Sequence, residues 1–345
     1  MHIYTTLLGT LAVLPHVLGS WPMYYAEPVT PYRNVEPKVK VETLYQFPNN
    51  GSWVDNLALR SDGSLLLTRL DVPEVWSINT ASGNATLAYS FPNATSCFGI
   101  SEIDDDIFAV VVGNFSTKTY TPTPGSFSVQ KLDFTTSNED SERALEAPTA
   151  SKIAALPEAH ALNGMTTFTK DSNLVLIADS PKGAVWKVDI ETGDYSVALN
   201  DTTMKPAEGQ ELPLGINGLR VVDGYLYYTS TTRMQFCRVK LHDDATAAGD
   251  YEVIASGFLP DNLDVAPDGT AYIATDPQNS VVRVTSSGQI SLVAGGQLST
   301  EMPGPTSCRL SGDRKTLYVG TSGGQVAPVL GTFMEPGKVV KISFE

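Results

Sequence analysis

The sequence predicts an all-β chain folded as a six-bladed β-propeller. One observation is a recurring unit: a polar or small dyad, a few apolar residues, a turn, then a β-rich run ending in a small residue. It appears as Asp55-Asn56-Leu57 before Leu65 to Thr68, Asn163-Gly164-Met165 before Leu174 to Ile177, Asn217-Gly218-Leu219 before Tyr225 to Thr229, and Asp261-Asn262-Leu263 before Ala271 to Thr275. Weaker copies are Cys97-Phe98-Gly99 before Ile107 to Val110 and Thr306-Ser307-Cys308 before Leu317 to Val319. A second observation is the spacing. Equivalent positions 56, 98, 163, 217, 262 and 307 lie 42, 65, 54, 45 and 45 residues apart, the length of a four-stranded blade with loop insertions. The third is a strand-like run at each end, Val39 to Phe47 and Lys338 to Phe344, neither with a partner in its own repeat.

Taken in chain order, residues 1–20 read as a secretory signal, with an apolar stretch from Leu7 to Leu18 and small residues Gly19 and Ser20 before Trp21. An ordinary apolar N-terminus is the alternative, because only His2 could charge the leading segment. Residues 21–37 read as an irregular N-terminal arm, and residues 38–345 as the propeller. The 39–47 strand is expected beside the C-terminal strand, closing the ring and removing two exposed sheet edges. Residues 116–156 read as the main insertion: a wide hairpin around Pro122, Pro124 and Gly125, the strand-like Ser126 to Phe134, and a charged loop.

A net charge of −15 without a basic cluster argues against nucleic acid or an anionic membrane as partner. Beyond the leader, no apolar run approaches the roughly 20 residues of a membrane span. Sequons at Asn50, Asn84, Asn93, Asn114 and Asn200 fit a glycosylated, secreted protein. Three cysteines allow one disulfide. Cys97 and Cys308 occupy nearly equivalent repeat positions and are expected to pair, whereas Cys237 reads as a buried thiol.

In a propeller the first strand of each blade lines the central channel, so the dyads place Asp55, Asn56, Asn163, Asn217, Asp261 and Asn262 around one channel mouth. Each could instead serve strand entry by bonding backbone. Such oxygens suit a hard divalent cation. The repeat spacing, the Asn217-Gly218-Leu219 and Asp261-Asn262-Leu263 elements and Pro267-Asp268-Gly269 resemble the regucalcin/gluconolactonase superfamily over roughly residues 38–345. That resemblance implies a metal on Asp55, Asn217 and Asp261, with Asn163 on the substrate side. Asp55 departs from the pattern by standing where the family has Glu, and Leu57 stands where it has Pro.

A narrower likeness lies in Val54-Asp55-Asn56-Leu57-Ala58-Leu59-Arg60 and Thr68-Arg69-Leu70-Asp71-Val72-Pro73-Glu74. With the secretory start, these resemble a fungal branch of secreted SMP-30-like proteins. That branch includes the hetero-Diels–Alderases of tropolone-sesquiterpenoid (meroterpenoid) biosynthesis, which join a quinone-methide polyketide to a humulene-type terpene. The likeness implies a pericyclic enzyme with small-molecule polyketide and terpene partners and no cofactor. Arg69, Tyr228 and Asp55 are its candidate catalytic residues, with Thr232 and Arg233 as further donors. Trp53, Phe98, Met165 and Met234 are candidate apolar walls. Arg69 could instead pair with Asp71, and Tyr228 could be blade core. The alternatives are a lactonase using Ca2+ or another divalent cation on Asp55, Asn217 and Asp261, and a non-catalytic binding propeller.

Other motifs carry less. Gly320-Thr321-Ser322-Gly323-Gly324 fits a nucleophile-elbow pattern but follows a propeller strand with no helix behind it. After signal removal only His160 and His242 remain, too few for a multi-histidine metal site. Asp104-Asp105-Asp106 reads as a solvated turn, lacking the glycine and terminal glutamate of a calcium loop.

Overall fold

The computed structural model describes residues 38–135 and 148–344. The leader and arm expected over residues 1–37 lie outside the described residues, as do positions 136–147 of the expected insertion. Six four-stranded antiparallel sheets make the propeller. The chain enters on β1 (Val39–Gln46) and builds blade one from β2 (Val54–Leu59), β3 (Leu65–Arg69), β4 (Glu74–Ile78) and β5 (Ala85–Ser90). Blade two takes β6 (Ser96–Asp104) and β7 (Ile107–Gly113), gives off a small hairpin of β8 (Phe115–Ser116) and β9 (Thr121–Pro122), and resumes with β10 (Ser128–Asp133) and β11 (Thr149–Ala155). Blade three is β12 (Leu162–Thr167), β13 (Leu174–Asp179), β14 (Ala184–Asp189) and β15 (Tyr195–Leu199). Blade four is β16 (Ile216–Val222), β17 (Tyr225–Ser230), β18 (Gln235–Lys240) and β19 (Glu252–Ser256). Blade five is β20 (Leu263–Val265), β21 (Ala271–Thr275), β22 (Ser280–Val284) and β23 (Ile290–Gly295). Blade six is β24 (Pro305–Leu310), β25 (Thr316–Thr321) and β26 (Lys338–Phe344), completed by β1.

The closure follows the expectation from the two orphan strands. β1 pairs antiparallel with β26 from Val39 opposite Phe344 to Gln46 opposite Lys338, so each terminal strand satisfies the other's backbone. The long step after Phe98 is resolved differently from a plain insertion. β10 and β11 are the third and fourth strands of blade two, and the true additions are the β8–β9 hairpin and the connection leading to β11.

Apolar side chains pack between neighbouring blades. Tyr228, Leu219 and Cys237 of blade four meet Leu176 and Val185 of blade three. Val340, Leu317 and Cys308 of blade six meet Ala274 and Val281 of blade five. Fully burying one aromatic such as Phe108 or Phe236 contributes about 1.5–3 kcal/mol.

The cysteines obey this packing and not the channel. Cys97 lies in the seam between blades one and two, Cys308 in the seam between blades five and six, and all three thiols are free and buried. The expected Cys97–Cys308 bridge is therefore wrong. Repeat equivalence put both residues in matching slots, but each side chain turns into its own inter-blade seam, where Cys308 Sγ meets the Tyr272 carbonyl at 3.2 Å.

Candidate active site at the dyad end of the channel

The dyads sit where the inner strands begin, and five of those six strands are irregular there. Pairing registers slip between Val54 and Leu57, Cys97 and Ile100, Leu162 and Met165, Ile216 and Leu219, and Pro305 and Ser307. An irregularity of this kind bends the strand and re-aims its side chains, which releases the dyads from the alternating pleat. The N–H groups freed by the slip must still find acceptors. Thr68 Oγ1 accepts from Asn56 N at 3.0 Å, and Thr229 Oγ1 from Gly218 N at 2.9 Å. This explains why the second strands of blades one and four carry a hydroxyl near their ends.

Threonine hydroxyls also staple blades together. Thr229 Oγ1 donates to Asp261 O at 2.6 Å, and Thr306 Oγ1 donates to Val54 O at 2.7 Å across the closure. The glycines of Asn163-Gly164 and Asn217-Gly218 have a separate reason. A Cβ on Gly218 would stand 2.4 Å from Asn262 Oδ1 and 2.6 Å from its Cα, and one on Gly164 would stand 2.6 Å from Asn217 O. No larger residue fits at either position while Asn262 and the Asn217 carbonyl stay in place.

Three of the expected residues come from blades four and five. Asn217 and Asn262 are buried, Asp261 is part-buried, and Asp276 joins them from the turn after β21. Asp55 and Asn56 enter from blade one, joined by an Asn56 Nδ2 to Asp55 Oδ2 bond of 2.7 Å. Asn163 stands on blade three and donates to Ser180 Oγ at 3.2 Å. Several polar atoms have no hydrogen-bond partner although they are buried: Asn217 Oδ1, Asn262 Oδ1, Asp276 Oδ1, Ser307 Oγ and Trp53 Nε1. Leaving each such group unmet costs about 1–3 kcal/mol, so their concentration at one end of the channel marks a place built to receive something polar.

The carboxyls there hold protons far more tightly than usual. Burial raises Asp55 from 3.8 to about 7, against the opposing bond from Asn56. Burial likewise raises Asp276 to about 7, against the bond from Ser322 Oγ at 3.2 Å. Asp261 is pushed well up, first by burial and then by the charges of Asp276 and Asp55. Around neutrality this end of the channel holds neutral carboxylic acids beside ionised ones.

An aromatic wall adjoins the acids. Trp53, Phe98, Met165 and Phe127 belong to one buried cluster, with Phe115 and Tyr120 packed against it. Tyr120, at the tip of the β8–β9 hairpin, meets the edge of Trp53 at 6.3 Å and donates its hydroxyl to the Gln325 carbonyl at 3.1 Å. Gln325 Nε2 in turn donates to Ser52 O and Ser322 O, at 2.9 and 2.8 Å. The hairpin of blade two thus reaches across blade one to the long connection of blade six. Burial, and then the charge of Asp276, lift the Tyr120 phenol, which places the aromatic wall within electrostatic range of the acids.

Other expected donors are committed elsewhere. The Arg69 guanidinium lies 4.1 Å over the Phe47 ring and is tied to Asp71, whose Oδ1 also accepts from Trp53 N at 2.8 Å. Tyr228 is fully buried between blades three and four, its hydroxyl 2.5 Å from Thr203 Oγ1. Thr232 Oγ1 donates to Leu214 O at 2.6 Å, and Arg233 Nε to Lys205 O at 2.7 Å. These four hold loops and seams. Met234 adopts a positive φ of 56° at the end of the β17–β18 turn and is absent from the Trp53 cluster. Asp106 of the acidic turn is bound by Arg60 Nε at 2.7 Å, so that turn joins blades one and two. Both described histidines have exposed side chains.

Sequence reasoning missed Asp276, Ser322 and Tyr120. For the first two the signal was present, since each directly follows the threonine that ends a second strand, Thr275 and Thr321, as Ser180 follows Asp179 in blade three.

Comparison with known proteins agrees with the narrower likeness. The chain is 28% identical over 324 residues, 84% of its length and 88% of the other's, to a protein of Phoma sp named "Putative hetero-Diels-Alderase". It is 27% identical over 320 residues, 80% of its length and 76% of the other's, to "Putative hetero-Diels-Alderase asR5" of Sarocladium schorii. The chain is a propeller relative of these two proteins. No family model matches it. Solved structures with the same fold include a luciferin-regenerating enzyme (TM-score 0.64, 10% identity, 89% of this chain and 95% of that one). Another is a gluconolactonase from Xanthomonas campestris (TM-score 0.55, 13% identity, 89% and 90%). A calcium-binding regucalcin from Agrobacterium tumefaciens also shares it (TM-score 0.59, 14% identity, 88% and 94%). At these identities the structures establish the gluconolactonase-like propeller and nothing about chemistry.

Proposed function

We propose that this relative is a hetero-Diels–Alderase joining a quinone-methide, tropolone-type polyketide to a humulene-type sesquiterpene at the dyad end of the channel. The observation that carries the reading is the pairing of an aromatic wall with neutral or partnerless donors in one buried place. Cycloaddition of a heterodiene needs no nucleophile. It needs two apolar reactants held in contact, and a hydrogen bond on the heterodiene carbonyl that strengthens as negative charge builds on that oxygen. Trp53 Nε1–H and the Ser307 hydroxyl are buried without a partner, and Asp55 holds its proton to about pH 7, so each can supply that bond. Trp53, Phe98 and Met165 belong to the packed apolar cluster beside these donors, and the proposal sets the terpene against its edge. Holding both partners in near-attack geometry contributes several kcal/mol, and one oriented donor about 2–4 kcal/mol more.

A lactonase reading is favoured by one observation, the unpartnered amide oxygen of Asn217. Asp55, Asn217 and Asp261 have the oxygen chemistry to hold a hard divalent cation, although no three acidic, histidine or cysteine side chains cluster for a metal among the described residues. When bound, such a cation would supply Lewis acidity toward an ester carbonyl. The same carboxyls would then have to be ionised.

The test incubates a quinone-methide precursor and a humulene-type sesquiterpene with and without the protein. We expect faster formation of one stereoisomer, unaffected by EDTA. Racemic adduct at the uncatalysed rate, or EDTA-sensitive lactone hydrolysis by the same preparation, would transfer the assignment to the lactonase.

For the compartment we propose passage through the secretory pathway, with cleavage near Ser20. Asn50, Asn84, Asn93 and Asn200 are exposed, which suits glycan addition, whereas Asn114 is half-buried. Intact-mass measurement on protein made in a fungal host should show loss of the leader and added hexose. A retained Met1 with no glycan mass would refute this.

A further inference from the structure

The opposite end of the channel carries a cavity that the dyads do not touch. About 410 Å³ lies between the ends of the inner strands, walled by Leu57, Ile100, Phe168 and Val221. Such a volume holds a small organic molecule. Its floor contains two guanidinium groups and one carboxylate. Arg220 is buried, with Nη1 donating to Leu219 O at 2.8 Å and Met165 O at 3.3 Å. Its Nε lies 3.4 Å from Asp264 Oδ1 without forming a hydrogen bond. Arg309, one third exposed, lies 3.3 Å from that same oxygen.

Asp264 cannot neutralise both. Its Oδ2 already accepts from Leu310 N at 2.9 Å and its Oδ1 from Val265 N at 3.1 Å, so one carboxylate with two backbone commitments faces two fixed cations. Within this trio one positive charge is left over, while Glu102, Asp104 and Asp105 of the same lining are answered only by Lys170. Burial, and then the charge of Arg309, depress Arg220 to about 10 against the opposing pull of Asp264. Around the entrance stand the exposed carboxylates Glu102, Asp104 and Asp105 together with Lys170.

We propose that this cavity is a binding site for a monocarboxylate carried on an apolar body, the carboxylate meeting Arg220 and Arg309 and the body lying against Leu57, Ile100 and Val221. The charge arithmetic selects the class. A single negative charge completes the floor, whereas a phosphate dianion would exceed it and would have to pass an acidic rim on a chain of net charge −15. Ser101 and Thr167 hydroxyls are 2.8 Å apart, and Thr167 Oγ1 also donates to Glu102 O, so the wall offers few free groups to a heavily polar ligand. The guanidinium Nε and the apolar wall together match a carboxylate with a hydrocarbon tail.

The experiment titrates the intact protein with 4-phenylbutyrate, 4-phenylbutanol and phenyl phosphate by isothermal calorimetry and ligand-observed NMR. We expect the carboxylate to bind at least tenfold more tightly than the alcohol or the phosphate. Arg309→Gln, at the exposed arginine, should weaken the carboxylate roughly tenfold while leaving thermal unfolding near wild type. Equal binding of carboxylate and alcohol, tighter binding of the phosphate, unchanged affinity in Arg309→Gln, or no binding up to about 10 mM would each overturn the proposal. Should Arg309→Gln unfold, Arg309→Lys keeps the charge and loses the fork. It should then retain part of the affinity, and full affinity would count against a guanidinium site.

Discussion

The cycloaddition rate should fall as pH rises through about 7, and Asp55→Asn should remove that dependence. Asp55 is held near neutrality by burial, so its carboxyl is a donor below that point and an acceptor above it. A carboxylate cannot donate to a heterodiene carbonyl, and its charge would repel the oxygen on which negative charge develops. Asparagine keeps the shape and an N–H donor at every pH. We expect the variant to retain activity within about tenfold of wild type at pH 6 and to exceed it at pH 8.5, while Asp55→Ala loses roughly ten- to a hundredfold at pH 6. Stability gives a second, independent readout. Unfolded aspartates release protons near 3.8 and folded Asp55 and Asp276 near 7, so the folded state binds more protons between those values. The contribution is fully present below about 4 and is lost as pH rises through about 7. Wild-type melting temperature should therefore decline across that window, and Asp55→Asn should flatten the decline. A rate that stays level from pH 5.5 to 8.5, with identical profiles for wild type and Asp55→Asn, would eliminate the proton-holding carboxyl.

Much of this architecture is legible in the sequence because a propeller repeats its constraints. The dyads at 56, 163, 217 and 262 mark four inner strands, and the unpartnered Val39 and Lys338 runs mark the closure. What the repeat could not convey is which way a side chain faces once the strand is irregular. Cys97 and Cys308 occupy matching slots and still point into separate seams. Arg69 and Tyr228 have the chemistry of donors, yet a guanidinium beside Asp71 and a phenol between two apolar sheets are consumed by the structure that holds them. Asp276 left a signal in the repeat, following Thr275 as Ser322 follows Thr321, but no signal of its burial. A lone aspartate before a proline reads as a turn, and only the packing around Ser322 and Gly304 buries it. Tyr120 belongs to a hairpin outside the repeat, so no periodicity could place it over Trp53.

Removing the strand that closes the ring should have the largest effect on stability of any change considered. Without residues up to Phe47, β26 loses the seven registered partners from Val39 to Gln46 and presents a bare edge. An open edge of that length invites pairing between copies, so the truncated chain should aggregate during refolding and elute in the void on size exclusion. Phe47 shows why the strand is more than a backbone partner. It is buried among Val54, Leu67 and Val339, meets Trp76 edge-on at 5.2 Å and carries the Arg69 guanidinium on its face. Phe47→Ala should cost about 3–5 kcal/mol through the cavity it leaves. Arg69→Ala should act on the same seam, since Arg69 holds Asp71 and Asp71 holds the Trp53 backbone. Its loss should lower the melting temperature, and any loss of rate should be recovered at lower temperature, where the fold is intact. A Phe47→Ala protein melting within a degree or two of wild type would show that blade six is held by its other strands and that the β1 closure is dispensable.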